Sequence, residues 1–336
     1  MSASPAARRR IEEAHRFGAI YRGGLASHHP MAIAALDAMG ASDEDLARFE
    51  SRYLPQLEPL MAAVVVIEEG DEAAHLGSPR AFPEWLRYFS AAIARDGAEG
   101  VLRRWVDRFT PALAAGAFHG AIRTAFALES EAEDELAHAL AYWASAYVTL
   151  PLPSPPEGSL SPHQVLEAIS RDPAYAGERL PGRSIIGRTL AATRTAGFDT
   201  HAMSLDPDQL ALDAIALALL RAYAASGDFT LLHGITGTHA FRLLAPYAGD
   251  SGATLADLWG AVVAAYMGAG APAVDGWALQ GDGGLDWPAI HARVVRCADE
   301  HDIKLAYSCW REWQHRGDDL YRQVASAQVT HAEAMA

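Results

Sequence analysis

The chain has 336 residues, of which 50% are hydrophobic and 21% charged, and it carries a formal net charge of −15. That composition supports a large buried core and excludes disordered, collagen-like and disulfide-scaffold classes, while the acidic balance excludes sequence-independent attraction to nucleic acid or anionic lipid. With only Cys297 and Cys309 there is neither a disulfide framework nor a Cys-rich zinc site, and charged residues follow the N-terminal arginine cluster where a signal peptide needs an apolar run. A reducing, cytoplasmic setting is therefore expected.

Apolar residues recur at three and four spacing over residues 31–39, 45–67, 83–94, 101–113, 121–128 and 131–148. The same period returns over 207–224, after His233 to 244, and over 254–267, 288–298 and 301–313. Helical periodicity this continuous predicts an all-α fold; the short run 63–67 is read as buried helix rather than strand. The uncharged stretch 258–274 reaches the lower edge of a membrane span, but its Gly and Ala content and Pro272 predict a buried, interrupted helix, and no membrane partner is expected. Prolines forbid a helix over about 150–162, which is read as a linker inside one large multi-helix domain; two helical domains split near residue 155 are the alternative. Residues 171–200 are Arg/Gly/Thr-rich and read as an irregular lid, and 268–284 as a Gly/Pro-rich loop with Asp275 and Asp282.

Phosphate-cradling G-x-x-x-x-G-K-[ST] and G-x-G-x-x-G motifs are absent, as are G-x-S-x-G and H-E-x-x-H. What remains is histidine. His15, His75, His138, His163, His315 and His331 lie among charges or loops and read as solvated surface. Four compact settings differ: Ser27-His28-His29-Pro30, Phe118-His119-Gly120, Leu232-His233-Gly234 and Glu300-His301-Asp302. Singly, each is more often a core histidine or helix cap than a ligand, but all-α scaffolds build metal sites by projecting imidazoles from several helices. The glycines after His119 and His233 let a neighbouring helix or ligand approach closely.

Lys304 is the only lysine among 27 basic residues. Three residues from His301 on a helix, it shares that residue's face. A protonated amine would repel a metal, so a metal role needs a neutral amine or a carbamate formed with CO2; the structural alternative is an ion pair with Glu300. Arg123 and Thr124, a turn beyond His119, could hold a substrate carbonyl or phenolate or could equally serve packing, and Trp259, Trp277, Trp287 and Trp310 line either a cavity or the core. Asp299, Glu300 and Asp302 stand near enough in sequence to accept imidazole N–H bonds.

The ordered runs HHPMAIAALDAMGAS, FHGAIRT, DFTLLHGITGTHAFRLL and DEHDIKLAYS resemble, over most of the chain, the questin oxidase-like family, which includes enzymes that open anthraquinone rings. The resemblance implies a mononuclear non-haem Fe(II) bound by His28, His119, His233 and His301 together with Lys304 carrying a CO2-derived carbamate, with His29 and His239 as alternatives. It implies O2 and a small polycyclic phenol or quinone as reactants; from its place a turn beyond His119, Arg123 is the catalytic residue expected to hold that substrate. The family was first described as NADPH-dependent Baeyer–Villiger oxidases, which makes NADPH an alternative external reductant. Two readings compete with the oxygenase: an HD-type metal phosphohydrolase built on His301-Asp302, and a helical binding protein without turnover.

Overall fold

A computed structural model describes residues 3–153, 155–275 and 284–335. The chain is 67% helical, which agrees with the all-α expectation. The helices are α1 (Pro5–Glu13), α2 (His29–Ala38), α3 (Asp43–Tyr53), α4 (Phe82–Phe109), α5 (His119–Ser130), α6 (Glu133–Ser145), α7 (Pro162–Arg171) and α8 (Ile185–Ala192). They continue with α9 (Phe198–Met203), α10 (Leu212–Ser226), α11 (Phe229–Leu244), α12 (Ser251–Gly268), α13 (Trp287–Val294), α14 (Glu300–Arg316) and α15 (Asp319–Met335). Among the described residues the only sheet is a hairpin of β1 (Ile20–Tyr21) and antiparallel β2 (Leu25–Ala26), just before α2. None of these helices is long and apolar enough to cross a membrane.

Three stretches depart from the periodicity reading. The helix expected over 45–67 stops at Tyr53, because Pro55 and Pro59 have no N–H to continue it. Beyond it Leu60 N donates to Arg16 O (2.8 Å) and Val64 N to Glu84 Oε1 (2.8 Å), so the backbone is satisfied outside a helix. The run 63–67 is therefore not a buried helix, and Val64 is 88% exposed. The helices expected at 83–94 and 101–113 join as α4, interrupted at Gly97, whose φ of 76° only glycine adopts without strain. The stretch expected to be an irregular lid instead contains α8, laid against α12 so closely that a Cβ on Gly268 would stand 3.0 Å from the Arg188 backbone.

The proline-rich segment forms no helix, as expected, and is tied down: Gly158 N donates to Leu205 O (2.9 Å) and Leu160 N to Ser204 O (3.0 Å). Trp277 and Asp282 lie outside the described residues.

The chain's contacts cluster into two units, each assembled from separated stretches of sequence. The first comprises Met1–Leu102, Gly120–Tyr147 and Gly281–Ala336, and the second Arg103–His119 and Val148–Gln280. In the first, α14 packs on α2, α13 and α15. Asp299 caps its start by accepting from His301 N, and Gly317 ends it in the left-handed conformation (φ 72°). Gly120 lets α5 sit on α6, since a Cβ there would meet Trp143 Cγ at 2.4 Å. In the second unit α10 ends at Gly227 (φ 62°), Asp228 caps α11, and the two helices pack as a hairpin against α12. Here too a glycine makes room, with Gly234 facing Leu219 of α10.

Candidate functional site

The packing of α2 on α14 brings two of the candidate histidines of the first unit together. His28 is the N-cap of α2 and His301 lies in the first turn of α14; their rings are 4.6 Å apart and nearly perpendicular. His28 Nδ1 donates to Glu300 Oε1 (3.2 Å), and His301 Nδ1 donates to Asp299 Oδ1 (2.9 Å). That same Asp299 oxygen accepts from His301 N, and Tyr53 Oη accepts from His28 N (2.8 Å), so both backbone and ring are fixed. The bond from His301 outweighs burial and holds the Asp299 carboxyl below its usual range. A carboxylate can only accept, so each ring carries a proton on Nδ1, and the neutral ring then has its lone pair on Nε2.

His29, one residue on, faces elsewhere: its Nε2 contacts Glu50 Oε1 (2.8 Å), and Glu50 also pairs with Arg10. Of the adjacent pair, only His28 stacks beside His301. If the His28–His301 pair holds a metal ion, His28→Ala is expected to abolish its retention, whereas His29→Ala should keep it and lose about 1–3 kcal/mol of stability by leaving Glu50 under-satisfied. Metal analysis and urea unfolding of the two variants separate these effects, and metal loss on His29→Ala alone would reverse the assignment.

Lys304 lies one turn beyond His301 and is 1% exposed. Among the described residues no ion pair to it forms, because the Glu300 carboxylate is engaged by His28 instead. Burial drives its amine down to about 7, against the opposing charges of Glu300 and Asp299. Asp302 turns away, accepting from Gln328 Nε2 of α15 (2.6 Å), and burial raises its carboxyl. It serves neither as an imidazole acceptor nor as the partner of His301 that an HD dyad requires.

In the second unit the chain approaches α5 through Gly116, Ala117 and Phe118, all left-handed at φ 55°, 58° and 65°. For the two non-glycine residues that conformation costs about 1–2 kcal/mol each, a strain of the kind found at functional sites. It is held because Phe118 is fully buried in a slot that Gly237 opens on α11, where a Cβ would come within 2.9 Å of the Phe118 ring. The His119 ring is thereby set 4.9 Å from that of His233, again near-perpendicular. His119 Nδ1 donates to Gly116 O (2.5 Å) and His233 Nδ1 to Phe229 O (2.7 Å), which again leaves each lone pair on Nε2. His239, six residues on, lies on another face of α11.

Arg123 is engaged in a buried ion pair. Its Nε and Nη2 both donate to Glu135 (2.5 and 3.1 Å), and both side chains are buried. His15 Nε2 contacts the same carboxylate (3.0 Å), and the His138 ring stacks on that of His15 at 3.9 Å. His15 and His138 are thus parts of a buried ionic cluster, not solvated surface; nothing in their local sequence signals a partner so far away along the chain. Thr124 donates to Gly120 O (2.8 Å), and Trp259 Nε1 to Ala202 O (2.8 Å), both packing roles.

Fold and side chains together define an all-α protein in which the Nδ1 atoms of His28, His119, His233 and His301 are each held by a carboxylate or a backbone carbonyl. The family model for questin oxidase-like proteins matches residues 25–309. The chain belongs to the questin oxidase-like family and is by family an oxidoreductase. No curated protein matches it.

Proposed function

We propose that the protein is a non-haem iron-dependent oxygenase that uses O2 to oxidise and cleave a ring of a polycyclic phenol or quinone. In this reading His28, His119, His233, His301 and a carboxylated Lys304 supply the iron ligands. The observation that carries it is the common state of the four imidazoles: each is buried or nearly so, and each donates Nδ1–H to a carboxylate or backbone carbonyl. Metal-ligating histidines are oriented by this kind of bond, which fixes the tautomer and raises the basicity of the other nitrogen. The donor set therefore fits a divalent transition metal.

Lys304 supplies the charge that four neutral imidazoles lack. An amine held at about 7 is substantially unprotonated at physiological pH. Its lone pair forms an N–C bond to CO2 with loss of one proton, which turns a cation into an anionic oxygen donor. The iron would supply O2 binding and redox chemistry. The chain's own part is to keep the imidazole protons on Nδ1 through Asp299 and Glu300, to fix the His28 backbone through Tyr53, and to exclude water from the Lys304 amine.

The test is anaerobic loading with Fe(II), desalting and metal analysis, followed by O2 uptake with hydroxylated anthraquinones in the presence and absence of NADPH. Retained iron with substrate-dependent O2 uptake that needs no NADPH is the expected result. Uptake only with NADPH would favour the Baeyer–Villiger description. A protein that retains no metal would be a helical binding protein instead.

A further inference from the structure

A column of aromatic rings leads away from Lys304 through the first unit, and it takes no part in holding the proposed ligands. Tyr307, one turn beyond Lys304 on α14, is buried and donates its hydroxyl to Glu129 Oε2 (2.8 Å), while Arg311 Nε holds the other carboxylate oxygen (2.9 Å). The Tyr307 ring centroid is 6.1 Å from that of Trp310, which lies 4.5 Å from His291. His291 is 6.1 Å from Trp287, and Trp287 is 5.5 Å from Trp313. Tyr307 and Trp287 are buried, whereas Trp310 and Trp313 are partly open to solvent.

Tryptophan and tyrosine are the aromatic side chains that lose an electron most easily, and rings in near contact exchange electrons rapidly. A phenol is oxidised readily only if its proton leaves with the electron, which requires a base within hydrogen-bond distance. Glu129 is that base. Burial and the neighbouring carboxylate push the Tyr307 phenol up, so it keeps its proton until it is oxidised. Burial lowers the pKa of His291, favouring a neutral ring that fills the gap between Trp310 and Trp287.

We propose that Tyr307, Trp310, Trp287 and Trp313 form a single-electron path between the interior of this unit and its surface, with Glu129 as the proton acceptor of Tyr307. In the first step Tyr307 gives one electron to a one-electron oxidant derived from O2 and its hydroxyl proton to Glu129, leaving a neutral tyrosyl radical and a protonated carboxyl. In the second Trp310 returns an electron to Tyr307 while Glu129 returns the proton. The oxidised tryptophan is then reduced at the surface by a small thiol or ascorbate. The biological use of the path rests on the oxygenase reading, in which oxidising equivalents formed from O2 without substrate would be discharged at the surface. The path itself needs no iron.

The test uses metal-free protein in solution with a ruthenium polypyridyl photosensitiser and an irreversible electron acceptor. The photo-oxidant attacks exposed tryptophan, and with no thiol or ascorbate present to drain the path the hole is expected to settle on Tyr307, giving a freeze-trapped tyrosyl EPR signal. Tyr307→Phe should lose most of that signal and leave a long-lived tryptophan radical. Trp310→Phe should slow the rise of the tyrosyl radical by an order of magnitude, and so should Glu129→Gln, which can still accept a hydrogen bond but is no base. An undiminished tyrosyl signal in Tyr307→Phe, or an unchanged rise in Trp310→Phe, would overturn the proposal; Glu129→Gln decides the matter if Tyr307→Phe fails to fold by circular dichroism. Failure of the oxygenase reading would appear in iron retention and O2 uptake, and neither enters this experiment.

Discussion

Lys304→Ala is expected to leave the purified protein with little iron where the parent chain retains about one ion. Lys304→Arg should fail equally with its helices intact, because a guanidinium stays protonated and cannot form a carbamate. Acetate, added as a detached oxygen donor, should restore part of the iron to the alanine variant and none to the arginine variant, whose side chain still fills the space. The metal-free protein should show the opposite sign. Burial holds the amine at about 7 against an ordinary 10.5, so the folded state is penalised fully below about 7, where both states carry the proton. Between those values the unfolded chain binds a proton that the folded chain does not, and stability rises with pH through that window. Lys304→Met removes the penalty, with an expected gain of about 4 kcal/mol near neutral pH and a flatter pH profile. Urea unfolding in the presence of a chelator reads both effects. Iron retained by Lys304→Ala, or a pH slope unchanged in Lys304→Met, would remove the lysine from the proposed function.

That one residue was conspicuous in the sequence because every other basic position is arginine, and its helix could be placed from periodicity alone. The histidines of α2, α5, α11 and α14 stood out for a related reason: each sits at a glycine, a proline or a helix start, where the sequence pattern is locally unusual. What holds them was less legible. Asp299 and Glu300 are neighbours of His301 and could be named in advance, whereas Gly116 O and Phe229 O are backbone groups that exist at every residue and leave no trace in composition. The left-handed Ala117 and Phe118 were equally hidden, since neither residue type favours that region and only the fit of Phe118 against Gly237 secures it. The run 63–67 misleads because its apolar content does not mean burial. Two prolines upstream had already ended the helix, and the valines there stayed outside the core. Arg123 shows another limit: its partner Glu135 lies on the next helix, and a short-range pattern cannot rank that pairing against a substrate contact.

The cluster around Arg123 carries the second large expected effect, and it falls on stability rather than on metal. Burial alone would raise the Glu135 carboxyl, but Arg123 and His15 outweigh it and hold the group well below the usual carboxylate range. Burial takes the neighbouring His138 the other way, down to about 3, with Glu135 offsetting only part of the shift. Both shifts act in one direction as the solution is acidified. Below about 6.5 the unfolded chain takes up a proton on this histidine that the folded chain refuses, and below about 4.5 it takes up another on Glu135, so folding free energy is lost across the whole range downward from there. His138→Phe, which can keep the stack on His15, should remove the upper part of that loss and move the acid midpoint of unfolding to lower pH. Arg123→Met should destabilise by about 3–5 kcal/mol at neutral pH, because a buried carboxylate is left without its main partner. Adding Glu135→Leu to Arg123→Met should recover most of that loss, since an apolar pair of similar size carries no desolvation cost. Iron retention should be unchanged in the double variant. Should the double variant fold well yet lose substrate-dependent O2 uptake with its iron in place, Arg123 would return to the chemistry as the group that holds the substrate.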